Sequence, residues 1–194
     1  MSKQGGFIML YWIIPAAAAI LIVFWWIGKY NLFNRLKITI TEAWSGIDVQ
    51  LKRKANIIPN LVDTLKMQMD FESKLLADLT AARSGLTSSS RAEAIAANDK
   101  ISALIPQIRA TAENYPQLGT NASFLRLMED IRDCEDKIAY ARNRYNMSVA
   151  RYNMEIVMFP GSIVASMGHF TAEQVFEISE TARQDADNMR ISNL

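Results

Sequence analysis

The feature that most limits this fold is an uncharged apolar run close to the N-terminus. No charged side chain occurs between Lys3 and Lys29, and apolar residues extend from Phe7 to Ile27. At a helical rise of about 1.5 Å per residue, about 20 apolar residues match a hydrocarbon core about 30 Å thick. The sequence therefore predicts a transmembrane helix in contact with the lipid bilayer over residues 7–28, after a short N-terminal segment over residues 1–6.

A cleaved signal peptide is the alternative interpretation of this run. The small residues Ala16–Ala18 resemble a cleavage site, but cleavage there would leave the strongly apolar stretch Ile20–Trp26 at a new N-terminus in water. Trp12 near one end and Trp25 near the other are typical of aromatic residues at headgroup depth. We therefore interpret the run as a retained anchor.

Basic residues are denser after the run than before it. Only Lys3 precedes the run, and cytoplasmic flanks of membrane spans accumulate lysine and arginine. This asymmetry predicts a single-pass protein of the cell (inner or cytoplasmic) membrane, with the remaining residues in the cytoplasm. The basic residues after the run are Lys29, Arg35, Lys37, Lys52, Arg53 and Lys54.

The first segment after the run has a helical pattern. Its apolar residues recur every three or four positions from Trp44 to Leu79, which places them along one stripe of a helix. Pro59 lies within this stripe, and the unbroken spacing favours a helix that continues through Pro59 with a kink. A new helix capped by Asn56 is the lesser alternative. No cluster of glycine or proline separates this segment from the apolar run, so the two are compatible with one continuous helix.

Two turns divide the rest of the chain. Gly85–Ser90 and Asn114–Gly119 are rich in turn residues, so the pattern predicts a helix over Arg91–Glu113 between them. A last long helix, capped by Thr120 or Asn121, is predicted to end at Phe159-Pro160-Gly161. Its regular apolar seam is typical of coiled-coil-like packing. The seam consists of Phe124, Leu127, Ile131, Cys134, Ile138, Ala141, Tyr145 and Tyr152, with a break at Ser148.

These elements predict an all-α protein. The expected architecture is an N-terminal transmembrane helix followed, over residues 29–168, by an elongated antiparallel up-down-up bundle of long, kinked helices. Residues 169–194 form a polar tail that we expect to be partly docked and then frayed from Asp185 onward. The apolar side chains available to dock it are Phe170, Val175, Phe176 and Ile178.

The composition argues against several functional classes. The 21 lysines and arginines balance 20 aspartates and glutamates, so the sequence lacks the basic surface of a general nucleic-acid-binding protein. Cys134 is the one cysteine and His169 the one histidine, which excludes an internal disulfide and a metal cage rich in these residues. The glycines form no phosphate-binding loop. We predict a protein that is not an enzyme, with no catalytic residue, cofactor, metal site or small-molecule substrate.

A repeated Tyr-Asn pair is the most specific polar pattern. Tyr145-Asn146 and Tyr152-Asn153 lie seven residues apart in the last long helix, and a buried asparagine requires a hydrogen-bonding partner. One interpretation is a polar layer that fixes helix register, with side chains from the first long helix opposite. The alternative is a partner-binding face with aromatic anchors. The candidate opposing residues are Arg53, Asn56 and Asn60.

The order of several motifs resembles the bacterial LemA family. The similarity covers most of the chain from Tyr30 to about Glu177. The motifs that carry it are Tyr30-Asn31, Glu42–Lys54, Ile57–Val62, Glu113–Pro116, Asn121 with Phe124, Ala141-Arg142 with Tyr145-Asn146, Tyr152-Asn153 and Phe159-Pro160.

The resemblance implies a membrane anchor followed by a helical bundle, and it implies no established enzymatic activity. This sequence departs from the family pattern at two positions: Phe71 stands where the family often has histidine, and Gly119 where it usually has lysine. We expect a membrane-anchored scaffold or adaptor that acts through contacts with a membrane-protein partner. The alternative is a protein that forms homo-oligomers and organises or shapes the membrane.

Overall fold

The computed structural model describes residues 4–67 and 72–176, with side chains from Trp12 onward. Within these ranges the regular structure is helical, without strands, which confirms the all-α class. The predictions for residues 1–3, Phe71, Ile178 and the residues from Asp185 onward lie outside the described ranges. The helices are α1 (Gln4–Lys66), α2 (Ser73–Gly85), α3 (Arg91–Glu113), α4 (Pro116–Gly119), α5 (Ala122–Val157) and α6 (Gly161–Met167).

Helix α1 joins the apolar run and the first bundle segment without a break. It spans 63 residues and passes through Pro59, which confirms the expectation of a continuous helix. Side chains from Trp12 to Trp25 are exposed, whereas Phe33, Leu36 and Ile40 are buried. One helix therefore changes from a fully exposed apolar surface to one buried stripe.

The helix ends earlier than its apolar spacing predicts. The stripe continues to Leu79, but α1 ends at Lys66 and α2 is a separate helix. Arg83 Nε donates a hydrogen bond to the Ala55 carbonyl oxygen at 2.8 Å, so α2 runs back along α1. A straight continuation would leave the leucines of α2 without this neighbour, and burying each leucine contributes about 1.5–3 kcal/mol. The buried leucines are Leu75, Leu76 and Leu79.

The described contacts fall into two compact units. The first contains Met1–Thr41 and Met147–Val175, and the second contains Glu42–Asn146 and Phe176–Leu194. In the second unit, contacts of α1 with α5 pair rising with falling residue numbers, so these helices are antiparallel. Helix α3 also runs antiparallel to α5. The sequence predicts three long helices that alternate in direction. In the structure α2 is an additional helix that runs back along α1, so α1 and α3 have the same direction and both are antiparallel to α5.

Local signals position the ends of α3 and α5. Ser90 caps α3 by accepting from the Glu93 backbone N–H, and α3 has the bounds that the turns predict. Asn121 Oδ1 accepts from the N–H groups of Ser123 and Phe124, which confirms Asn121 as the predicted cap of α5. The buried face of α5 follows most of the predicted seam, and Val149 fills the predicted break at the neighbouring Ser148.

The two short helices were not expected from the sequence. Pro116 begins α4 within the predicted turn, since proline at the first helical position lacks only an N–H that has no intrahelical acceptor. Helix α6 follows the predicted end of α5 and buries Gly161, Val164 and Ala165. After it, His169 adopts a φ of 54° and turns the chain into the segment 170–176. His169 is exposed.

Candidate functional site

The exposed apolar part of α1 is the candidate membrane-binding element. Among the described residues, α1 is the helix that is long and apolar enough to cross a membrane, and none of its most apolar 18-residue window is buried. The 30 Å hydrocarbon core requires about 20 such residues. Residues 12–27 therefore form a candidate membrane anchor within the first unit.

A buried lysine forms a polar cluster inside the second unit. The Lys54 side chain is 0% exposed. Its Nζ donates to Glu135 Oε1, to Asn98 Oδ1 at 2.8 Å and to Ser102 Oγ at 3.3 Å. Burial lowers the pKa of Lys54, and the Glu135 carboxylate opposes that shift. The cluster links α1, α3 and α5 through one ammonium group, a geometry suited to fixing how these three helices pack.

The sequence contains a signal for this cluster that motif reasoning missed. Lys54 occupies the same helical face as Leu51 and Ile58, and Asn98 the same face as Ile95 and Ile101. A charged or amide side chain at a buried phase requires a buried partner. The apolar spacing therefore identifies Lys54 and Asn98 as buried polar residues. It does not identify their hydrogen-bonding partners, because these depend on how the helices pack.

Arg53, by contrast, lies at the edge of the second unit. Its guanidinium donates to Asp133 Oδ2 at 2.6 Å and to Asp130 Oδ1 at 3.0 Å. Lys137 and Arg53 both hydrogen-bond Asp133 and lower the pKa of its carboxyl group. The Arg53 and Asp133 side chains are 41% and 40% exposed, so solvent screens this pair and its contribution to stability is modest.

The first Tyr-Asn pair binds the C-terminal segment in the second unit. Tyr145 is buried and stacks on Phe176 with ring centroids 4.9 Å apart. Asn146 Nδ2 donates to the Phe176 carbonyl oxygen at 2.7 Å, and its Oδ1 accepts from the Phe176 N–H at 2.9 Å. The Trp44 ring lies against both of these rings, and the Arg91 guanidinium lies over the Trp44 and Tyr145 rings. One asparagine thus satisfies both backbone groups of Phe176.

The second pair repeats this arrangement in the first unit. Asn153 Nδ2 donates to the Glu173 carbonyl oxygen at 2.8 Å, and its Oδ1 accepts from the Glu173 N–H at 2.9 Å. The buried Tyr152 donates its hydroxyl to the Thr171 carbonyl oxygen at 2.9 Å. Burial raises the pKa of Tyr152, and the Glu173 carboxylate adds to the shift. The backbone groups of this segment are therefore hydrogen-bonded, as those of a strand in a sheet would be. Side chains of α5 supply the hydrogen-bonding partners in place of a neighbouring strand.

The predicted site residues thus separate into three groups. Asn146 and Asn153 bind backbone of the C-terminal segment, and Arg53 binds two carboxylates of α5. Asn56 and Asn60 are exposed on α1. The role of the asparagines in fixing helix register and the role of the Tyr-Asn pairs in partner binding stay predictions.

Cys134 supplies a test of the packing around this region. Its side chain is 0% exposed, and burial raises the pKa of its thiol, an effect that the Arg53 charge opposes. Because the thiolate is the reactive form, we expect the folded, detergent-extracted protein to react with Ellman's reagent at pH 8 about 100-fold more slowly than the protein in urea.

The control for Cys134 is a Tyr140→Cys variant in a Cys134→Ala background. Tyr140 is 75% exposed on the same helix, so a thiol there should react rapidly with or without urea. Equal rates for Cys134 and for the control thiol in the folded protein would contradict the buried seam.

An open groove lies on the surface of the second unit. Its volume is about 470 Å³, and Leu125 is 51% exposed within it. Arginine, methionine and phenylalanine are enriched at protein interfaces, and all three residue types occur in the wall. The lining comprises Arg109, Ala112, Glu113, Gly119, Phe124, Leu125, Met128, Glu129 and Arg132.

Gly119, one of the two departures from the family pattern, lies in this wall. A Cβ added at Gly119 would meet no atom within 4 Å, so the backbone has room for a side chain. The absence of a side chain therefore opens the groove rather than relieving a steric conflict. Among the described residues, no group of three or more histidine, cysteine, aspartate or glutamate side chains could hold a metal ion.

Comparison with known proteins agrees with these features. Residues 43–190 match the LemA family. The chain is similar to Protein LemA of Metamycoplasma hominis, with 25% identity over 172 residues that cover 88% of this chain and 78% of the relative. Because the family match extends over most of the sequence and includes both Tyr-Asn pairs, the chain belongs to the LemA family.

Proposed function

We propose that this protein is a non-catalytic, membrane-anchored helical scaffold or adaptor that binds a membrane-protein partner. The observation that carries the proposal is the exposed apolar segment of α1, which continues without a break into a helix with a buried stripe. An anchor confines the helices to the bilayer surface, where a high effective concentration strengthens otherwise weak contacts. The LemA family is not known as an enzyme family, and its membership suggests a membrane-associated protein.

The charge distribution supports an orientation for this tether. Lys29, Arg35 and Lys37 follow the apolar segment closely, and such residues accumulate on the cytoplasmic side. We therefore propose that the helical units lie at the cytoplasmic face of the cell membrane. A partner in the same membrane would meet them by diffusion in two dimensions.

The groove around Leu125 is the surface that we propose for the partner. It combines an exposed leucine with arginines and glutamates, so an amphipathic segment of a partner would find both apolar and charged contacts. Arginine is enriched among the few interface residues whose truncation to alanine costs about 2 kcal/mol or more. The groove is open to solvent in the second unit, so binding would require no unfolding.

Site-specific photo-crosslinking in native membranes tests this proposal. With a photoreactive phenylalanine analogue at position 125 of the full-length protein, we expect a discrete adduct with another membrane protein. An additional Arg109→Ala change should reduce the adduct severalfold, because removing one interface arginine weakens binding by about 1–2 kcal/mol.

Position 49 supplies the matched control. Val49 is 59% exposed on α1 and lies outside the groove, so the same photoreactive group there should give no such adduct. An adduct with twice the mass of the chain would favour the alternative function, a self-assembling protein that organises or shapes the membrane. The same adducts from both positions would contradict a specific groove.

A further inference from the structure

The end of α5 and the start of α6 expose an unusual density of apolar side chains in the first unit. Val157 is 74% exposed and Phe159 is 80% exposed, and Met158 between them is also exposed. Contiguous exposed apolar patches mark interaction sites, because each large side chain left in water forgoes about 1.5–3 kcal/mol of burial. We name Val157, Met158, Phe159, Ile163 and Met167 the apolar corner.

The apolar corner lies beside the end of the candidate anchor. Lys29, just after the apolar segment, pairs with Glu155 at 2.9 Å, and Glu155 precedes Val157 by two residues. The Lys37 ammonium lies 6.0 Å from the centroid of the Tyr152 ring, so α5 approaches the apolar segment of α1 as it nears its end. Val157 and Phe159, the most exposed residues of the corner, therefore lie just beyond the part of α5 that is beside Lys29.

The start of α6 is held firmly against α1. A Cβ added at Gly161 would lie 2.8 Å from the Glu155 carbonyl oxygen and 3.4 Å from Phe33 Cζ, so only glycine permits this approach. Phe170 packs edge-on against both Tyr30 and Phe33, with centroids 5.4 and 5.2 Å apart. These contacts restrict the corner to the level of residues 29–33 of α1.

The level of these contacts determines what the corner can touch. Residue 33 lies only about 7–8 Å along the helix axis from residue 28, at 1.5 Å per residue. The polar headgroup region extends about 5–8 Å beyond each side of the hydrocarbon core. A corner at this level thus lies at headgroup depth when α1 spans the membrane, where phenylalanine, valine and methionine side chains can enter the acyl boundary.

We propose that the apolar corner is a second membrane contact, inserted into the interfacial layer of the bilayer that holds α1. This inference rests on the membrane anchoring proposed above. Lipid is the favoured occupant because, along the axis of α1, the corner lies directly after the exposed apolar segment and so at the depth of the headgroups. Exposed Arg35 and Arg151 of the same unit add positive charge that would favour an anionic surface.

Spin-label accessibility in lipid nanodiscs tests the proposal on the full-length protein. Labels are attached to Phe159→Cys, Met158→Cys, Met147→Cys and Leu21→Cys variants in a Cys134→Ala background, in discs of phosphatidylcholine and phosphatidylglycerol. Oxygen, which concentrates in lipid, and a water-soluble nickel chelate are the two collision probes. We expect oxygen to dominate at 158, 159 and 21, and the nickel chelate to dominate at 147.

Met147 is the matched control because it is an exposed methionine of α5 in the same unit, and Leu21 reports the anchor. A nickel-dominated signal at 21 would contradict the proposed anchoring itself. An oxygen-dominated signal at 21 with values at 158 and 159 equal to those at 147 would overturn only the second contact. Labels at 158 and 159 shielded from both probes, with short distances between labelled copies, would also overturn it and assign the corner to self-association.

Discussion

Replacing Lys54 by methionine is expected to lower the free energy of unfolding by about 3 kcal/mol, because it leaves the Glu135 carboxylate and the Asn98 amide without their shared donor. Removing one partner of a fully buried ion pair costs about 3–5 kcal/mol, and the partial exposure of Glu135 places this case at the lower end. Urea unfolding of the detergent-solubilised protein, followed by circular dichroism, measures the change.

A neighbouring lysine provides the control for this measurement. The Lys52 side chain is 60% exposed and pairs with Asp48 one turn away, so Lys52→Met should change the free energy of unfolding by about 0.5 kcal/mol or less. Combining Lys54→Met with Glu135→Leu should recover a substantial part of the loss, because no buried charge then lacks a partner. A Lys54→Met variant as stable as the Lys52→Met control would contradict the buried cluster.

Replacing Asn153 by alanine is expected to release the segment 171–175 from α5. The change removes two hydrogen bonds to the Glu173 backbone, each contributing about 1 kcal/mol, so local opening should become easier by about 2 kcal/mol. Hydrogen exchange of the Glu173 amide, followed by mass spectrometry, reports this opening directly. We expect exchange there to accelerate about 30-fold, since 1.4 kcal/mol corresponds to a factor of ten.

Asn143→Ala is the matched control for the asparagine contact. Asn143 is exposed on the same helix, so its replacement should leave the exchange of Glu173 unchanged. An Asn153→Asp change should keep the acceptor for the Glu173 N–H but lose the donor to its carbonyl oxygen, and so accelerate exchange by an intermediate amount. Unchanged exchange in Asn153→Ala would show that other contacts hold the segment.

The sequence predicts those elements whose signals are local. The bounds of α3 depend on turn residues before Arg91 and after Glu113, and the start of α5 depends on the Asn121 side chain bonding to its own first turn. Continuity of α1 through Pro59 follows from apolar spacing within one helix. Each of these features requires only residues that are near one another in the chain.

Features that depend on residues far apart in the chain are harder to predict from the sequence. Apolar spacing cannot distinguish a long helix from two helices folded against each other, so the end of α1 at Lys66 was missed. The need of Asn146 and Asn153 for partners was evident, but their partners are backbone groups of a segment with little pattern of its own. From the sequence, Lys54 is one of several basic residues that follow the apolar run, since its buried partners come from α3 and α5 and leave no signal near it in the chain.

The unbroken course of α1 has a mechanical consequence for the first unit. An α-helix turns by about 100° per residue, so with no hinge between the apolar segment and Phe33 the two parts share one azimuth. Any rotation or change in depth of the segment in lipid would be transmitted rigidly to the face that carries Phe33, Leu36 and Ile40. The bilayer would thereby set not only where these residues are held but also which way they point.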